Sequence, residues 1–417
     1  MNNQNLVIPK KVELVLVVCL LVLIEVSKLP RFGQQIISLF YYVIPFIVMI
    51  NRWNRFTYVI FQDIFLLLLT LLAITSVLWS ENPSWTLQAS LFLVRCTIFG
   101  VYLGMTYTPK ELLGLLSLVF FLLIVISLFV GLLFPSYNLQ LFYDGSLAWS
   151  GVFGHKQSFG PYMGLAALTY LINCFDQRIN RLFALCVLSM ALVLIILSKS
   201  ATSLIIFCVA LNLMLLYKVI KQKSFRGILL IIILSIYASL FFNVVSNLEI
   251  IVELLNKDIE FNGRTPIWTL AIESALKRPW LGYGYQGFWS SEVSAQEVSA
   301  YTWISRTESY LNGENGFHAH NGYIDLFLDL GVLGLSLFVI NIFNLLKRII
   351  YLSFINRRIE NFWYFQFVVF FLVNILANGR GILWYRTDWV IYIAICFSSA
   401  LEYRKIQKDK HYKKLSF

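Results

Sequence analysis

The chain has 417 residues, of which 59% are hydrophobic and 13% charged, with a mean hydropathy of +0.74; a soluble domain carries about 25% charged residues, so lipid rather than water is the solvent for most of this sequence. The net charge of +11 does not mark a nucleic-acid partner, because the basic residues sit in short tracts between apolar runs and no basic face is interleaved with aromatics. All six cysteines lie inside apolar runs and none forms a C-x-x-C pair, which argues against a disulfide framework or a thiolate metal site and leaves them as small buried hydrophobes.

In chain order, the first apolar run, Val12 to Val26, follows Lys10 and Lys11 and lacks a small-x-small cleavage site, so it reads as a retained signal anchor. Further runs at about 36–50, 57–79, 87–106, 112–134, 159–175, 182–198, 202–217, 227–246, 321–345, 362–377 and 388–403 complete about twelve candidate spanning helices of an all-α integral membrane fold. Several are shorter than the usual ~20 residues, which predicts tilted, broken or internally buried spans. The expected organisation is nine spans over 1–246, a large extracytoplasmic loop over 247–320, three spans over 321–403, and a basic tail over 404–417. Every alternate loop is the more basic one, so the positive-inside rule places both termini in the cytoplasm and the long loop outside.

The long loop contains a predicted helix. Thr265 is placed to cap it, Pro266 to open it, and Pro279 to follow its end near Lys277. Glycines in L281-G-Y-G-Y-Q-G-F then turn the chain.

The same topology puts His155, Lys156, Lys199, Arg264, His318, His320, Arg380 and Arg386 on the outer side. Arg264, beside a helix N-terminus, is arranged to bind an anion such as pyrophosphate; a solvated loop arginine is the plainer reading. His318 and His320 precede a re-entering span in F317-H-A-H-N-G-Y-I-D-L-F-L-D. An imidazole there is suited to accept a proton from a sugar hydroxyl, against the plainer reading of an interfacial cap. No third ligand of suitable spacing accompanies H-x-H, so no metal is expected. Asn321, Asp325 and Asp329 recur every four residues and share one helix face. His155 and Lys156, at a glycine-rich helix entry, and Lys199, between two apolar runs, are candidate phosphate or glycan contacts. Arg95, eight residues into a span, is either a substrate contact or a partner for Glu25 or Asp63. No nucleotide loop, nucleophile elbow or H-E-x-x-H occurs.

Together, G151-V-F-G-H-K-Q-S-F-G, L197-S-K-S-A-T-S-L, G263-R-T-P-I-W, R278-P-W-L-G-Y-G-Y-Q-G-F-W and H318-A-H-N-G-Y-I-D-L-F-L-D-L-G-V-L-G-L resemble, in the same order, the O-antigen ligase and polymerase superfamily, in particular its exopolysaccharide-polymerase branch. W79-S-E-N-P-S-W-T is similar to that family's first outer loop. The resemblance implies a C-type glycosyltransferase (GT-C) architecture and a cofactor-free enzyme of the cytoplasmic membrane. Such an enzyme moves a glycan from an undecaprenyl-pyrophosphate donor to a glycan or lipid acceptor, among membrane lipids and other polysaccharide-assembly proteins. It further implies that Arg264 holds the donor pyrophosphate and His320 activates the acceptor hydroxyl; His318, Asn321, Lys199, His155, Lys156 and Arg95 are the further candidate substrate contacts read from the residues themselves. Ala201 stands where the ligase pattern often has arginine, and Gln157 replaces a commoner asparagine; the first departure leans toward a polymerase. The competing expectations are a ligase with a separate acceptor, and a non-catalytic transporter or flippase. A transporter should show inverted repeats around a midplane site.

Overall fold

The computed structural model describes residues 10–26, 40, 43, 49–50, 52–141, 147–221, 264–291, 294, 318–378, 382–384 and 386–415. Those residues are almost entirely helical. The principal helices are α1 (Lys10–Glu25), α2 (Trp53–Ile60), α3 (Ile64–Thr75), α4 (Pro83–Thr106), α5 (Pro109–Leu133), α6 (Lys156–Asn173), α7 (Arg181–Leu197), α8 (Ala201–Lys221), α9 (Arg264–Lys277), α10 (Gly322–Asn356), α11 (Ile359–Asn378) and α12 (Thr387–Leu415). One small antiparallel hairpin, β1 (Leu139–Leu141) and β2 (Leu147–Trp149), lies between α5 and α6 and pairs Leu139 with Trp149.

Four of these helices, α4, α5, α10 and α11, are long and apolar enough to cross a membrane, and a fifth span results if α2 and α3 count as one bent unit. The chain is a multi-pass membrane protein. The expected spans at 227–246 and, for the most part, 36–50 lie outside the described residues, as does most of the 247–320 loop.

The run at 57–79, read from sequence as one span, is broken: α2 and α3 meet at 95°. Asp63 explains the break. Its carboxylate accepts from Leu66 N–H at the start of α3 (3.3 Å), from Asn341 Nδ2 (2.8 Å), and from Arg348 in a salt bridge. A buried carboxylate in a span needs such partners, and this one takes them from α10.

Helix starts follow from local chemistry. Asn82 caps α4 by accepting from Trp85 N–H, ahead of Pro83. Thr108 and Glu111 form a reciprocal capping box at α5. Close packing of α4 on α12 follows from Gly100 and Gly104, whose added Cβ atoms would lie 2.6 Å from Ile393 Cβ and 2.7 Å from the Ala394 carbonyl. Small residues four apart let two membrane helices approach at backbone distance.

Many of the described basic residues, though not all, sit at one end of the molecule. Lys10 pairs with Glu111, Arg52 lies 3.6 Å from Glu13, Arg55 donates to the Met105 carbonyl, Arg178 pairs with Glu360, and Arg358 lies 3.5 Å from Glu402. The loops at 79–82, 151–156, 278–291 and 318–321 lie at the other ends of the same helices.

Candidate active site

Helix α10 is interrupted at Gly331, which takes φ 63° and ψ −163° inside an otherwise helical run. The segment 279–284 docks into the break. Tyr283 N–H donates to the Leu328 carbonyl (3.0 Å) and Gly284 N–H to that of Asp329 (2.9 Å). Val332 N–H in turn donates to the Pro279 carbonyl (2.7 Å) and Leu333 N–H to that of Trp280 (3.3 Å). Four backbone groups orphaned by the break are thereby paired, as the membrane requires. Gly282 and Gly284, at φ 63° and 89°, are the turn residues that allow the approach.

The loop after α3 clamps this segment from the other side. Trp79 Nε1 donates to the Leu281 carbonyl, Asn82 Nδ2 to that of Ser290, Thr86 Oγ1 to that of Tyr285, and Tyr285 N–H to Ser76 Oγ. Arg278 pairs with Glu81. Segments around residues 80, 282 and 325, far apart in sequence, thus form one assembly.

Helix α9 packs onto that assembly through Ile267, Leu270, Ala271 and Ala275, which join Tyr283, Phe288, Ala319 and Leu328 in a separate apolar cluster. Burial of each large aliphatic chain there contributes about 1.5–3 kcal/mol. The helix begins at Arg264, so Thr265 lies inside its first turn instead of capping it. Trp268 donates its indole N–H to the Ala319 carbonyl (2.7 Å). Arg264 is one turn earlier on the same helix face. Burial pulls the Arg264 pKa below the ordinary guanidinium value, yet an arginine remains cationic at physiological pH.

The turn itself is held from both sides. Asp325 accepts from Ala319 N–H (2.8 Å) and from Trp289 Nε1 (3.1 Å). His320 N–H donates to His318 Nδ1 (3.0 Å), and the two rings lie 4.1 Å apart. His320 adopts φ 54°, a left-handed conformation uncommon outside glycine. Asn321 caps α10, its side-chain oxygen accepting from Tyr323 and Ile324 N–H. The polar stripe Asn321, Asp325 and Asp329 therefore anchors loops: the third member takes the backbone N–H of Gln286.

A second group of predicted residues forms at α6 and α8. His155 caps α6, its Nδ1 accepting from Gln157 N–H (3.1 Å), and Lys156 N–H donates to Gln140 Oε1 (3.3 Å). Lys199 sits at φ 50° in the turn between α7 and α8. That turn packs on α6: a Cβ on Gly160 would lie 2.8 Å from Ser203 Oγ, and Ser203 donates to Ser200 Oγ (2.8 Å). His155, Lys156 and Lys199 thus share one end of a helix pair.

The two groups are joined by residues 382–384 and Arg386, the last of which the sequence reading left unassigned. Tyr285 OH donates to the Leu383 carbonyl on one side, while the Arg386 guanidinium lies 5.4 Å from the Tyr162 ring centre on the other. Tyr162 OH in turn donates to Glu25 Oε1 (2.7 Å). Only an arginine two residues before an acidic span start hinted at this bridge. Arg380 and Asp144 lie outside the described residues.

Arg95 stands apart. It is nine residues beyond Thr86 on α4, which places it about 14 Å deeper along the axis, with its guanidinium 4.7 Å from the Phe92 ring centre. The partners expected for it are engaged elsewhere, Asp63 with Arg348 and Asn341, and Glu25 with Tyr162.

Residues 184–339 match the model of the O-antigen ligase family (Wzy_C), an interval that contains Lys199, Arg264, His318, His320 and Asn321. The chain is 26% identical over 341 residues to the "Exopolysaccharide production protein ExoQ" of Rhizobium meliloti, covering 77% of this chain and 73% of that protein. It is 26% identical over 253 residues to a "Putative polysaccharide ligase" of Rickettsia felis, covering 57% of this chain and 58% of that one. A third relative, from Rickettsia typhi, carries the same description and is 25% identical over 255 residues.

Proposed function

We propose, from the premise that residues 184–339 are an O-antigen ligase domain, that this chain is a glycan polymerase that builds a polysaccharide from lipid-pyrophosphate-linked repeat units. The observation that supports the reading is the Trp268 bond to Ala319, which ties α9, the helix that Arg264 opens, to the H318-A-H320 turn. In this mechanism the acceptor hydroxyl gives its proton to His320 as its oxygen bonds to the donor anomeric carbon. The bond from that carbon to the pyrophosphate breaks, and the leaving polyprenyl pyrophosphate keeps the electron pair. Arg264, with the positive end of the α9 dipole, neutralises the charge that develops there. Lys199, His155 and Lys156 lie across the bridge of Leu383 and Arg386 and contact the remainder of the lipid-linked glycan. His318 and Asn321 fix the turn. Holding two large substrates in line supplies much of the remaining rate. Arg95, below the assembly, is assigned to the lipid-phosphate side.

Positive-inside reasoning puts this assembly on the extracytoplasmic face and the basic end in the cytoplasm. The likeness to proteins described as polysaccharide ligases favours one second reading, transfer of a finished glycan to a separate acceptor. Purified protein incubated with a lipid-linked repeat unit distinguishes them: a product ladder supports the polymerase, and a single transfer to an added acceptor supports the ligase. Absence of transfer in either format defeats both.

A further inference from the structure

At the end of the molecule opposite the candidate active site, the first residues of α5 and α11 and the α6–α7 loop line an open recess of about 550 Å³. Its charged lining comprises Lys110, Asp176, Arg178, Arg358 and Glu360, three cations against two carboxylates. Arg178 is locked in place by Asp176 (2.6 Å) and Glu360 (2.7 Å). Burial alone would raise the Asp176 pKa, but hydrogen bonds from Arg178 outweigh it and hold the carboxylate below its ordinary value. This ion triad shapes the floor. The other two cations are less committed: Lys110 is exposed, and Arg358, although 3.5 Å from Glu402, keeps 65% of its side chain accessible. Two helix N-termini, with their partial positive charge, open onto the same space.

We propose that this recess binds a phosphate group, Lys110 and Arg358 closing on it over the Asp176–Arg178–Glu360 floor. The chemistry suits the headgroup of an anionic phospholipid, since a basic recess between spans at the headgroup level is how such lipids are held; a free phosphate carries the same group. The site is separate from the transfer chemistry and stands whether or not that reading holds.

The test is thermal unfolding of the full-length protein in neutral detergent, titrated with phosphatidylglycerol, phosphatidylcholine or inorganic phosphate. Phosphatidylglycerol should raise Tm well beyond phosphatidylcholine. The K110Q/R358Q variant should need roughly thirtyfold more of it, from about fivefold per surface cation. A response to inorganic phosphate alone also supports the site and identifies the free anion as its ligand. Equal responses to the two lipids with none to phosphate overturn the proposal, as does an unchanged titration of the double variant. Should that variant not fold, the wild-type response between about 0.05 and 0.5 M salt decides: a charge-held headgroup must weaken with screening, and an undiminished shift overturns the assignment.

Discussion

His318 and His320 are one residue apart and differently occupied. The Nδ1 atom of His318 accepts from the His320 N–H, and His320 takes a left-handed backbone; in the proposed mechanism His318 braces the turn and His320 is the base. His320→Ala should therefore lower turnover by about 10²–10⁴, the usual worth of a positioned base, with normal membrane insertion. Polymer of wild-type length from that variant would remove the proposed role. Arg264→Lys keeps the charge but loses the planar fork, and should weaken donor use more than it alters acceptor KM. Asp325 is a positioning residue: Asp325→Asn weakens two charge-assisted hydrogen bonds, each worth about 1.5–3 kcal/mol. A kcat fall of about ten- to a hundredfold with little change in KM is expected from steady-state kinetics; an unaltered kcat would mean that the turn holds without the carboxylate. At this scale the sequence was informative for types and poor for duties. H-A-H-N and R-T-P-I-W are legible because spacing and residue chemistry alone identify an imidazole and a guanidinium near helix starts. That Asp325 grips Ala319 and Trp289 is a tertiary fact that no local pattern encodes.

Among the elements, α10 and α4 depend on glycine for opposite reasons. Gly331 permits a positive φ, and a Cβ there would come 2.6 Å from Leu281 N. Gly331→Ala should cost roughly 1–3 kcal/mol from backbone strain and loosen the 279–284 segment as well. A lowered Tm together with faster proteolysis near Trp280 would show both, and a variant as stable as wild type would contradict the account. Gly104 instead permits approach, so Gly104→Leu should push α12 from α4 and lower Tm without touching the site loops. Helix positions were largely readable from apolar runs, because burial in lipid demands them. The breaks at 61–63 and at Gly331 were not, because a single polar residue such as Asp63 or Asp329 in an apolar run does not by itself say that the helix stops. What interrupts the helices is a partner elsewhere, Arg348 and Asn341 for the first and the 279–284 segment for the second.

For the whole molecule, the segregation of cationic loops to one end and of the histidine turn to the other makes a topological prediction. In a background with the native cysteines replaced, a cysteine at Trp280, whose side chain is largely exposed, should react with an impermeant reagent on intact cells. One at Arg358 should react only after permeabilisation. The reverse pattern would place the histidine turn in the cytosol and end the proposal of an extracytoplasmic transfer. The alternation of basic loops was legible because it is a sum over many residues. The joining of the two cation groups through Leu383 and Arg386 was not, since it rests on a carbonyl and an aromatic ring.

The traded hydrogen bonds between α10 and the 279–284 segment also bear on how the protein is made. Residues 279–284 emerge from the ribosome before residue 328 does, so the template is complete when its counterpart arrives. Until the two meet, the peptide groups at the Gly331 break of α10 lack these partners. On the proposed topology, the helix completes its pairing with a stretch of chain already delivered to the far side, so export of that stretch would precede integration of the next hydrophobic segment.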